Sequence, residues 1–330
     1  MLHPPGHPDD PAGITLQDTP MLRDPRPVSI ARRLVWVAVF LAAVFAVDRL
    51  VGLAFSQVVL RSQYRYSRLY RGDIDADIVI VGSSRGLHSL YAPEMTQRLG
   101  VPVYNLSANS LGMDALACIV GDYLDRNRAP KAIIVEITAA TGNPGESITA
   151  FQPYFGESQR FQTAFHTYQP DRYWACRACH SFRYNGNAIE KCLLYLRRSD
   201  QDWISPAARI IPPEILARRA ITGEITIAPA EARAWAEIVA AAKAKSVTLI
   251  PIIAPYVPGA FGDRDIRAEF VRQLEADAPD APPILDYSRA VTIDDAFSDR
   301  VHTNAKGAGL LLDVMIRDGV FDRVLGKPPG

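Results

Sequence analysis

Residues 77–89 read DIVIVGSSRGLHS, from Asp77 to Ser89. The first six, DIVIVG, are a short β-branched apolar run closed by glycine, which predicts a buried parallel strand. Open α/β sheets bind ligands at the carboxyl ends of their strands. A serine on the turn just past such a strand, Ser83 or Ser84, therefore faces the crevice. Gly82 permits a tight turn with close backbone approach. If a helix follows, its N-terminal N–H groups are placed to stabilise an oxyanion. Alone, Gly-Ser-Ser reads equally well as a plain turn or a helix cap.

Outward from this stretch the chain alternates. Further strands are expected at 101–106 (VPVYNL), 132–137 (AIIVEI), 247–254 (VTLIPIIA) and, shorter, 284–287. Helical spacing covers about 93–99, 113–127, 230–245 and 305–318. Strands separated by helices predict an α/β fold, three layers with a central parallel sheet and helices on both faces. Residues 143–229 break the alternation. They are rich in aromatic residues, hold three of the four cysteines and show no clear strand. We read them as an inserted cap over one end of the sheet, of the kind that shapes a ligand site.

Composition bounds the function. The 330 residues are 48% hydrophobic and 22% charged, which supports a packed core, and 36 Lys+Arg balance 36 Asp+Glu. Zero formal charge argues against a nucleic-acid binder. Four cysteines are too few for a disulfide-built scaffold. No His/Asp/Glu cluster has ligand spacing, so no metal is expected.

The N-terminus divides in two. Residues 1–28 are proline-rich, without helical or strand period, and read as a disordered tail; a later translation start, at Met21, is the alternative. Residues 29–60 read as a transmembrane anchor. The unbroken apolar run Leu34–Val47 has 14 residues, and Leu34–Phe55 has 22 if it includes Asp48-Arg49. A span needs roughly 18 to 20. The charged pair is expected at headgroup level, with Arg49 snorkelling. A signal peptide fits less well, because the preceding tail is long and no clean cleavage site follows; a buried core helix is the bland alternative. Arginines flank both ends (Arg23, Arg26, Arg32, Arg33; Arg49, Arg61, Arg65, Arg68, Arg71), so their count does not orient the span.

A second chemical signal lies far downstream, in FSDRVHTNAKGAGLLLDVM (297–315). A serine nucleophile needs a base, and the base needs an acid to orient it. Asp299 and His302, three apart before a predicted helix, can supply both. Asp-x-x-His is also a common surface pair.

Taken together, strand-Gly-x-Ser near the start of the domain and Asp-x-x-His near its end resemble the SGNH hydrolase superfamily, the GDSL-type esterases and lipases. The resemblance covers Asp73 to about Val320. It implies a flavodoxin-like SGNH fold over 73–330 and a catalytic set of Ser84, Asp299 and His302, with Ser83 where the family often has aspartate. Asn304 and Gly307 continue the final motif. GSSR resembles the membrane-tethered branch, which includes proteins of alginate O-acetylation and of D-alanine transfer to teichoic acids. That branch implies an inner-membrane, single-pass protein with a periplasmic catalytic domain. The family draws oxyanion donors from the serine N–H, a glycine N–H and an asparagine side chain. In YNLSANSLGM (104–113) Asn105 matches, but the glycine falls on Ser110, with Gly112 two residues later. The asparagine falls near Ala140; Asn143 substitutes only if its loop is lengthened.

The resemblance implies an esterase or O-acyltransferase acting on acyl groups of cell-envelope polysaccharide. Its partners would be the membrane, an acylated glycan and, for a transferase, a membrane-bound acyl-donor protein. A non-catalytic carbohydrate-binding or assembly protein on the same fold is the alternative. Arg85 reads either as a contact to substrate or as a salt bridge beside the sheet. Cys176-Arg-Ala-Cys179-His180 matches the c-type haem attachment pattern. It stands without any surrounding haem-protein pattern, so no cofactor is expected. A disulfide within Cys176, Cys179 and Cys192 is the expectation for a periplasmic domain, and Cys118 reads as core.

Overall fold

The computed structural model describes residues 29–201 and 209–326. The tail at 1–28 lies outside the described residues. The described residues fall into two units, divided between Ala46 and Val47.

The first unit contains the start of a 32-residue helix, α1 (Ile30–Arg61), whose apolar side chains from Leu34 to Phe45 are exposed. At 1.5 Å per residue α1 is about 48 Å long, more than a hydrocarbon core of about 30 Å requires. It is long and apolar enough to cross a membrane.

In the second unit, α2 (Arg65–Arg71) precedes an α/β body: β1 (Ile78–Val81), α3 (Ser84–Ser89), α4 (Ala92–Leu99), β2 (Val103–Asn105), α5 (Met113–Arg126) and β3 (Ala132–Glu136). The insertion carries α6 (Gln159–Tyr168), α7 (Pro170–Ala178), α8 (Asn187–Leu194) and α9 (Pro213–Leu216). The body resumes with α10 (Pro229–Ala244), β4 (Thr248–Ile253), α11 (Ile266–Leu274), β5 (Leu285–Asp286) and α12 (Ala305–Arg317).

The five strands are all parallel, in the order β2-β1-β3-β4-β5. The chain switches direction of travel between β1 and β3, where doubly wound sheets open a crevice at their carboxyl ends. Every residue of β1 and β3 is buried, which is why these strands are unbroken apolar runs rather than alternating ones. Val79, Val81, Ile133 and Val135 face a core under α2, α5 and α10, with Tyr66, Ile119 and Trp235. Ile78, Ile80 and Ile134 face the other side, against Met95 of α4 and Leu311 and Met315 of α12.

The insertion carries helices, and it packs against one side of the second half of α1, where Gly52 and Val59 are buried. Asp48 accepts hydrogen bonds from the N–H groups of His180 (2.8 Å) and Ser181 (2.9 Å) and from the Ser181 hydroxyl (2.8 Å). Arg49 donates to the Ala178 carbonyl at 3.1 Å. A Cβ on Gly52 would fall 2.5 Å from His180 Cβ, so only glycine lets the two backbones approach. Phe55 stacks on Tyr184, and the Ser62 hydroxyl donates to the Cys192 carbonyl. The charged pair expected at headgroup level thus has protein partners.

The cysteines correct a sequence expectation. All four are free. Cys176 points into the core, Cys192 faces Tyr154 and Ser67, and Cys179 turns to Asp48. Buried Cys176 is not presented outward as a haem-attachment pair requires.

Candidate active site

β1 ends at Val81, and two residues later the chain turns into α3, with Ser83 as its cap, accepting from the Arg85 N–H at 3.5 Å. Ser84 is the first residue of α3. The turn is tight because its glycines have no side chain. A Cβ on Gly82 would lie 2.8 Å from Glu136 Cβ, and one on Gly86 2.8 Å from Ser107 Oγ. Both glycines let α3 settle onto the ends of β1 and β3.

The downstream motif forms a closed loop. The Ser298 N–H donates to the His302 carbonyl (2.9 Å), the Asn304 N–H donates to Ala296 (2.9 Å), and Phe297 bridges Thr303. Asp299 Oδ1 accepts from the N–H groups of Val301 (2.8 Å) and His302 (2.9 Å), leaving Oδ2 for the imidazole. Asn304 then caps α12, its Oδ1 accepting from the Gly307 N–H at 3.2 Å.

These two segments meet. His302 Nδ1 lies 2.7 Å from Asp299 Oδ2, and His302 Nε2 lies 2.8 Å from Ser84 Oγ. A carboxylate only accepts, so Nδ1 carries the proton and Nε2 presents its lone pair to the serine hydroxyl. Burial pushes the Asp299 carboxyl up, but the hydrogen bonds from His302 and from two backbone N–H groups outweigh it and hold it at about 2. Asp299 is therefore ionised across the working range. The arrangement has the geometry that a serine nucleophile would require of its base and of the group that orients the base.

Arg85 takes the salt-bridge arrangement, not that of a substrate contact. Its side chain is 7% exposed, and Nε lies 3.4 Å from Glu136 Oε1, itself fully buried. Nη1 donates to Val301 (2.8 Å), Nη2 to Ala254 and Pro255, and the guanidinium lies 3.5 Å from the centre of the Tyr256 ring. Its donors are thus turned inward. Glu136 also accepts from the Thr138 hydroxyl at 2.7 Å.

The expected oxyanion donors fare differently. The chain after β2 runs beside the serine turn, with the Leu106 N–H on Ile80 and the Ala108 N–H on Gly82. Ser110 is exposed, with a left-handed φ of 61°. Asn143 is exposed and donates to Glu146 of its own loop at 2.8 Å. Ala140 is fully buried. Among the described residues no hydrogen bond ties Ser110 or Asn143 to the triad.

An open cleft of about 590 Å³ borders Asp299, Arg300 and Val301 on one side and Glu214, Ile215 and Arg218 of the insertion on the other. The insertion thus contributes a wall beside the acid–base loop. Sequence reasoning passed over Glu136, His88 and Thr303. Two of them left a trace: a lone acid closing the apolar strand AIIVE, and a histidine four residues after Ser84.

No protein-family model and no curated relative matches this chain.

Proposed function

We propose that the chain is a membrane-anchored serine acyl-transfer enzyme of the SGNH hydrolase type. It acts as an esterase or O-acyltransferase on acyl groups of cell-envelope polysaccharide. The observation that carries this reading is the unbroken hydrogen-bond chain Ser84–His302–Asp299 at the carboxyl end of β1. The strand order and the motif positions at the two ends of the body support it.

The chemistry follows from the geometry. Ser84 Oγ forms a bond to the acyl carbonyl carbon as its proton passes to His302 Nε2. The carbonyl π electrons move to oxygen, giving a tetrahedral oxyanion. Collapse expels the alcohol, which takes the proton back from the imidazolium, and leaves acyl-Ser84. Water or a sugar hydroxyl then attacks, His302 again takes and returns the proton, and Ser84 is freed. Asp299 stays ionised throughout and stabilises the imidazolium. No metal or cofactor enters these steps.

The polysaccharide substrate, the acyl-donor partner and a periplasmic position at the inner membrane rest on the resemblance to the membrane-tethered branch, together with α1, a helix long and apolar enough to span. The second reading, a non-catalytic carbohydrate-binding or assembly protein, is favoured by the engagement of Asn143 with Glu146 and by the buried Ala140. Incubating the detergent-solubilised full chain with p-nitrophenyl acetate and an acetylated oligosaccharide separates the two. The enzyme reading expects an acetylated Ser84 peptide by mass spectrometry and its absence in Ser84→Ala. A folded chain that binds the oligosaccharide and never acylates Ser84 supports the second reading. Product analysis with an unacetylated sugar acceptor then distinguishes transfer from hydrolysis.

A further inference from the structure

His88 lies four residues after Ser84 in α3. Positions i and i+4 of a helix share one face, so α3 presents both side chains to the same side. The His88 ring meets the His302 ring edge to face, with centroids 5.1 Å apart and planes at 64°. The backbone holds this meeting in place. The Thr303 hydroxyl donates to the His88 carbonyl at 3.0 Å and accepts from the Ser89 hydroxyl at 3.1 Å, joining the end of α3 to the residue after His302.

The His302 imidazole is thus held at three places. Asp299 holds Nδ1 and Ser84 meets Nε2, on opposite sides of the ring. Two hydrogen bonds along one line leave the ring free to swing about that line. A third contact off the line stops the swing. We propose that His88 is a positioning residue, whose ring walls the His302 imidazole, fixes its plane and excludes water from one side of it.

This inference rests on the reading of Ser84 as the nucleophile. The wall has to be uncharged, since a cation there would oppose the imidazolium that forms on His302. The environment keeps it so. Burial pushes His88 down to about 4, the His302 ring adds in the same direction, and Asp299 opposes. Above about pH 5 the ring is neutral. An arginine or lysine at this position would repel the imidazolium; a phenylalanine would keep the wall and lose only the ring nitrogens.

The test uses the full chain in detergent micelles, with wild type, His88→Ala and His88→Phe compared at matched circular dichroism. The rate of fluorophosphonate labelling is followed from pH 5 to pH 9, and the His302 imidazole is titrated by NMR on histidine-labelled protein. Removing the wall is expected to slow labelling roughly tenfold, the size of effect that a modest misplacement of a reacting group produces. Admitting water favours the charged ring, so the midpoint of both profiles should move above that of wild type. His88→Phe should restore the midpoint and most of the rate. A folded His88→Ala chain with wild-type rate and midpoint overturns the inference. Wild type that never labels overturns the nucleophile reading, while the NMR midpoint still judges the His88 wall separately.

Discussion

The guanidinium of Arg85 donates to the carbonyl of Val301 at 2.8 Å, joining the residue after the serine to the residue before the histidine. The two halves of the site are 218 positions apart in sequence, and this bond fastens one to the other, while Glu136 at the end of β3 pairs with the same guanidinium. Arg85 is therefore a brace for the triad. Its removal strands a buried carboxylate.

Replacing Arg85 by alanine should lower stability by about 3–5 kcal/mol, the cost of leaving one partner of a buried pair uncompensated. Urea denaturation of Arg85→Ala and of Arg85→Ala/Glu136→Gln checks this. The double variant should recover part of the loss, because the neutral amide is cheaper to bury. Equal loss in both would mean that the carbonyl contacts, not the ion pair, hold the brace.

Asp299→Asn should keep the fold and lower Ser84 reactivity by roughly 10⁴-fold, the effect seen when a triad acid becomes an amide and the imidazole takes the wrong tautomer. Labelling kinetics measure it. The carboxyl titrates at about 2 against 3.8 unfolded. Its contribution to stability is present above pH 3.8 and fades as pH falls through 2. The stability difference between wild type and Asp299→Asn should vanish over that acid window.

Glu231 gives a pH effect of the opposite sign. Its carboxyl is fully buried, and Oε2 accepts from the Asp114 N–H at 3.0 Å, at the start of α5. Burial, with the neighbouring Asp114 carboxyl adding to it, raises Glu231 from 4.5 to about 8. The folded state then holds a proton that the unfolded state releases. Its contribution to stability should be greatest below pH 4.5, decline as pH rises to 8, and level off above it, by an amount of order a few kcal/mol. Glu231→Gln should flatten this decline and be more stable than wild type at pH 9. Thermal melts at pH 5, 7 and 9 test it.

The clasp on α1 predicts that the second half of this helix belongs to the folded domain. Gly52→Val should cost about 1–3 kcal/mol through overpacking against His180. Asp48→Ala, which leaves the N–H groups of His180 and Ser181 without their acceptor, should open the insertion to protease. Limited proteolysis with cleavage sites mapped near 179–195 checks both. A truncation beginning at residue 62 should be less stable than the full chain.

The sheet and most of its flanking helices were legible because strands buried on both faces are dominated by Ile and Val, as IVIV in β1 and IIV in β3 are. Ser84, Asp299 and His302 were legible because each sits where the chain must turn at a strand end or before a helix. What stayed hidden depends on contacts far apart in sequence. Whether Arg85 faces substrate or core is decided by Glu136 and Val301, which its own neighbours do not reveal. Cysteine spacing says nothing of direction, so Cys176 entering the core and Cys179 turning to Asp48 overturned the expected disulfide. The helices α6 to α8 escaped because they are short, of 10, 9 and 8 residues, and follow one another with no strand between them to mark where each begins.

The central claim is that Ser84 is an activated nucleophile. Fluorophosphonate labelling of the full chain in detergent, with the modified peptide sequenced by mass spectrometry, tests it most directly. The account predicts one phosphonylated residue, Ser84, with labelling abolished in Ser84→Ala and His302→Ala at unchanged circular dichroism. A well-folded wild type that takes no label, or one labelled equally in Ser84→Ala, would contradict it.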